Sequence, residues 1–202
     1  MSVENNLKFW EQHFKRMNRP SDWLQSACRL KHGAELLFEA YSSAALLADE
    51  ERAGDEDFGL AGVATLLYGL AMENMMKAVL LHRGIAKVAE TDGNVSWNVD
   101  GAKQHDLVSL SKQASLRTLE SVELKLLERL SAFVCWAGKY TTPNFFTKNG
   151  RQDFQGLLLS DQPGCGKIML PSEFAVQDTE FFDKIFHELS DIVSGRCRQA
   201  EK

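Results

Sequence analysis

An all-α fold, an up-and-down bundle of about five to six helices, is what this sequence predicts, and three observations predict it. The stretch 58–83, FGLAGVATLLYGLAMENMMKAVLLHR, contains nothing that breaks a helix and is apolar nearly all round. The stretch 21–48 carries Trp23, Ala27, Leu30, Ala34, Leu37, Tyr41, Ala44 and Ala48, an unbroken apolar seam with alternating spacings of four and three. Only 4 prolines interrupt the 202 residues, which are rich in the helix formers Leu, Ala, Glu and Lys.

Taken in order, residues 3–17 form a short helix with Leu7, Trp10 and Phe14 on one side, ended by Arg19-Pro20. Ser21 or Asp22 caps the seam helix. The acidic run 49–57, DEERAGDED, reads as a solvated turn before the central helix. That helix buries itself almost all round, leaves room for a close neighbour at Gly62, Ala64 and Gly69, and stops near Gly84. Residues 85–104 read as a loop, in which the alternation of Val95, Trp97 and Val99 allows a short hairpin. A short helix follows over 105–115, another over 121–137, and an amphipathic one over 180–193 through Phe182, Ile185, Leu189 and Ile192. The chain reads as one domain, 1–202, with a long irregular segment or small insertion at about 140–176.

Composition excludes several classes. The net charge of −5 resides in the acidic run, whose six acids and one Arg leave 22 acids against 22 bases elsewhere. A general nucleic-acid coat needs a basic footprint, which this chain lacks, although a local basic site is allowed. Phe58 to Met72 is 15 residues without charge, short of the roughly 20 that span a bilayer. The start has no apolar h-region, and Cys28, Cys135, Cys165 and Cys197 form no C-x-x-C, so a cytoplasmic chain with reduced thiols is expected. The five histidines show no metal-ligand spacing, and neither metal nor cofactor is expected. The run Asp161 to Ile168 superficially suggests a phosphate loop. It has Asp161 where the first Gly belongs and Ile168 where Ser or Thr should follow Lys167.

Three polar residues interrupt the central helix: Glu73, Asn74 and Lys77. Buried charges are expensive unless paired, so these residues ask for an explanation. His105 and Asp106 open the next helix, and Lys139 and Tyr140 lie in Trp136-Ala-Gly-Lys-Tyr-Thr-Thr-Pro143. Each has a bland role: an i,i+4 ion pair for Glu73 and Lys77, a helix cap for Asp106, a helix-end cation for Lys139. If the groups converge, the two lysines supply charge for a phosphate and Tyr140 or Trp136 a stacking face.

At these residues, AMENMMKAVLLHRG followed by HDL and a helix with an aromatic end, the chain resembles the HEPN superfamily over residues 22 to about 140. The resemblance implies a four- or five-helix bundle, often dimeric, that binds RNA or a nucleotide. It also implies a place beside a minimal nucleotidyltransferase or in defence and toxin–antitoxin systems. Many members are metal-independent RNases using Arg-x4–6-His. Here no Arg stands five to seven residues before His13, His32, His82, His105 or His187, so that motif is absent.

Two hypotheses follow. The chain is a binding module taking RNA, a nucleotide or a partner protein through Asn74, Lys77, His105, Asp106, Lys139 and Tyr140. Alternatively it is a metal-independent RNase or nucleotide-processing enzyme built on Glu73, Lys77 and His105, with His105 moving the proton and Lys77 stabilising phosphoryl charge. Lys77→Met separates the structural options. An exposed pair loses well under 1 kcal/mol, a buried pair several, and a ligand-site lysine is removed at no loss of stability but with loss of binding.

Overall fold

The structure is a computed structural model that describes residues 12, 14–47, 55–91, 94–98, 105–137 and 175–195. Among these residues the elements are α1 (Pro20–Leu47), α2 (Asp55–His82), a hairpin of β1 (Lys87–Thr91) and β2 (Asn94–Asn98), α3 (Leu107–Gln113), α4 (Ser121–Ala132), a π-helical turn (Phe133–Ala137) and α5 (Asp178–Ser194). The fold is an all-α bundle with one hairpin attached. Residues 14–17 are helical ahead of α1. Lys139, Tyr140 and, up to residue 174, the segment expected to be irregular lie outside the described residues.

α2 is the axis, packed against α1, α3, α4, the π turn and α5. It begins three residues earlier than its apolar stretch, because Asp55, Glu56 and Asp57 belong to its first turn rather than to a loop. Of its two apolar sides, the one with Tyr68, Met72, Met75, Met76 and Val79 is the core. The leucine-rich side is only partly covered, and Val63 is 46% exposed. The core is completed by Leu107 and Leu110, by Leu126, Leu127 and Leu130, and by Phe182, Ile185, Phe186 and Leu189. Tyr68 meets Phe182 edge-on at 4.9 Å between ring centroids. Burial, with the charges of Glu35 and Asp183 adding to it, pushes the Tyr68 phenol up to about 12.

Gly69 is what lets the π turn approach. A Cβ there would lie 2.6 Å from Val134 Cγ2 and 3.0 Å from the Leu130 carbonyl oxygen. At the end of α2, Gly84 takes φ +68°, and the amides of Ile85 and Ala86 return to the Leu80 carbonyl. The chain then enters the hairpin, whose register sets Val88 opposite Trp97. Asn18 binds the β1 backbone as a neighbouring strand would: its amide nitrogen donates to Val88 O (3.2 Å) and its oxygen accepts from Val88 N (3.1 Å).

A second polar centre ties the connection after α3 to α4 and α5. Glu123 on α4 is fully buried. It accepts from Arg117 Nη1 at 2.8 Å, from Arg117 Nη2, and from the Glu120 backbone N–H at 2.7 Å, with Lys184 of α5 at 3.2 Å. Arg117 and Lys184 hold second carboxylates, Glu188 at 3.1 Å and Glu120 at 2.9 Å. The Arg117 guanidinium, helped by the backbone and Lys184 and opposed by burial, holds the Glu123 carboxyl down at about 2.

Candidate functional site

Glu73 and Lys77 stand one turn apart on α2, and both are buried, at 3% and 6% exposure. Lys77 Nζ lies 2.5 Å from Glu73 Oε1, so the pair is a buried ion pair and not one on an exposed edge. The ammonium also faces two indoles. Its nitrogen is 5.4 Å from the Trp23 ring centroid and 5.3 Å from that of Trp97. Ring faces carry negative charge, and a desolvated contact of this kind contributes about 2 kcal/mol. Trp23 comes from the first turn of α1 and Trp97 from β2, and the two rings lie 5.3 Å apart at 57°. Two aromatic faces and a carboxylate therefore enclose the ammonium.

The other Glu73 oxygen, Oε2, lies 2.9 Å from His105 Nδ1. A carboxylate only accepts, so Nδ1 carries the hydrogen and, in the neutral ring, Nε2 has the free lone pair. The His105 side chain is 45% exposed. Its backbone is fixed on both sides. The Leu107 N–H donates to Ser131 Oγ at 3.0 Å, and Cys135 Sγ in the π turn points to the His105 carbonyl at 3.9 Å. One buried carboxylate thus bridges a buried cation and a half-exposed imidazole. Such an imidazole can accept or deliver a proton at Nε2 or, when charged, donate to a phosphate oxygen. The three groups sum to zero charge with a neutral ring and to one positive charge with a protonated ring.

Glu73, Lys77 and His105 are therefore brought together. Asn74 is not with them: it points to α1, donating to Ser26 Oγ at 3.1 Å. Asp106 serves as the N-cap of α3, accepting from the Ser109 N–H at 3.0 Å. Trp23 and Trp97 join the site without a local sequence signal for it. Trp23 fits the α1 seam as a packing residue, and the one hint at Trp97 is a large aromatic inside a stretch of turn signals. Their indole N–H groups differ. That of Trp23 donates to the Met17 carbonyl at 2.7 Å, whereas that of Trp97 is buried and faces no acceptor among the described residues. An unsatisfied buried donor costs about 1–3 kcal/mol.

Among the described residues no cluster of His, Cys, Asp and Glu is placed to hold a metal ion, and no helix is long and apolar enough to cross a membrane. Comparison of the chain with protein-family models, with curated proteins and with solved structures gave no match.

Proposed function

We propose that this chain is a HEPN-like helical binding module that takes RNA or a nucleotide at His105, without the family's Arg-x4–6-His chemistry. One observation carries the reading: a buried carboxylate that already has its cation also orients a half-exposed imidazole. For a core ion pair alone, Lys77 would suffice. The imidazole adds a polar group presented to solvent in a fixed tautomer, the kind of group that recognises a phosphate or sugar oxygen. Lys77 acts from behind, by holding Glu73. The test is binding of mixed single-stranded RNA to the purified protein in EDTA. The wild type binds and His105→Ala loses at least about tenfold in affinity, 1.4 kcal/mol. No binding by the wild type, or equal binding by both, overturns the reading.

The 2.9 Å contact between Glu73 and Nδ1 also favours a second reading, a metal-independent RNase or nucleotide-processing enzyme with His105 Nε2 as the proton carrier. RNA cleavage in EDTA that His105→Ala abolishes selects it over simple binding. The HEPN resemblance further suggests a homodimer, or a nucleotidyltransferase-type or defence protein as partner, in the cytoplasm. On the outer side of α1, Leu36 is 54% exposed and available for pairing. Light scattering at about tens of micromolar, which saturates a Kd of about 1 μM, checks the dimer, and a monomer there removes it.

A further inference from the structure

Among its described residues, the β1–β2 hairpin meets the bundle at Val88 and Trp97. Two-stranded hairpins are marginal by themselves in water. This one is secured by Asn18 on the Val88 backbone, by the buried Val88 side chain, and by Trp97 against Trp23 and Lys77. Against these stands the buried Trp97 N–H, which no acceptor faces among the described residues. Lifting Trp97 would give that N–H to water and uncover one side of Lys77, while Glu73 continued to hold the ammonium from α2.

We propose that the 87–98 hairpin is a lid over the Glu73–Lys77 pair, closed in this structure, and that ligand reaches the pair when Trp97 lifts away. The proposal rests on the ligand-site reading above and extends it. In the open form Trp23 and Trp97 become free stacking faces and Lys77 adds its charge to His105, the combination that single-stranded nucleic acid recognises. Opening is local, because the contacts broken are those of the hairpin and not of the α2 core.

Amide hydrogen exchange on the full chain tests the lid without any ligand. Hairpin amides should exchange at least about tenfold faster than those of residues 72–80 in α2, through local opening. Asn18→Ala and Trp97→Ala should raise hairpin exchange about tenfold further while leaving α2 unchanged. Replacing Trp97 by β-(3-benzothienyl)alanine keeps a bicyclic ring and removes only the N–H. It should slow hairpin exchange about tenfold and slow association of single-stranded RNA by a similar factor. Hairpin amides that exchange no faster than α2, or an isostere that speeds hairpin exchange, would overturn the lid. If exchange follows these signs but wild-type protein binds no RNA, the lid stands and the RNA reading falls.

Discussion

Glu73 on α2 and Glu123 on α4 are both buried, and each gathers two basic side chains, yet their surroundings differ in kind. Glu123 sits in a closed circuit. Arg117 and Lys184 each hold a second carboxylate, and the backbone of Glu120 completes the set. Every group there is spent on fastening α4, α5 and the connection before α4. At Glu73 the cation is covered by indoles instead of paired again, and the second partner is an imidazole that, unlike the equally exposed Lys184, holds no second carboxylate among the described residues. A reciprocal network is a fastener. The same parts with one exposed valence make a candidate site.

The comparison breaks most visibly at Lys77. Lys77→Met leaves a 3% exposed carboxylate with only His105 and should cost about 3–5 kcal/mol in chemical unfolding. Making Glu73→Leu in the same chain should recover much of that loss, since the unpaired charge goes with it. A loss below 1 kcal/mol for the single variant would mean that the pair is solvated. Arg117→Met should cost less, about 1–3 kcal/mol, because Glu123 retains Lys184 and the Glu120 N–H.

Acid probes the Glu123 centre directly. The folded Glu123 carboxyl takes its proton at about 2, against an ordinary value of 4.5. As pH falls below that value the unfolded chain binds the proton first, so the stabilisation present above about 4.5 drains away toward 2. Stability measured across this window should fall in the wild type and fall less steeply in Glu123→Gln. Equal slopes would remove Glu123 from the acid limb. The smallest effect on stability is expected at His105→Ala, under about 1 kcal/mol, since the removed partner is half-exposed and Glu73 keeps Lys77.

Long-period features were legible in the sequence. The apolar stretches 58–83 and 21–48 became Asp55–His82 and Pro20–Leu47, with ends displaced by no more than a turn. Glu73, Lys77 and His105 could be named because polar groups on an all-apolar helix, and a His beside a helix start, are local signals. The wheel of α2 could not say which apolar side is core, because both sides are equally hydrophobic and only the neighbours decide. Nor could it foresee the π turn: Phe133, Val134 and Ala137 suit either helix, and the close approach at Gly69 is a tertiary fact. The pairing of Trp23 with Trp97 around Lys77 joins residues far apart in sequence, and no local pattern encodes such a meeting.

The most direct measurement is RNA affinity in EDTA for the wild type and His105→Ala, taken alongside the unfolding free energy of each. The open-site account predicts binding that falls at least about tenfold while stability moves by less than about 1 kcal/mol. Unchanged affinity, or a loss of binding matched by a loss of several kcal/mol in stability, would make Glu73 a second fastener like Glu123.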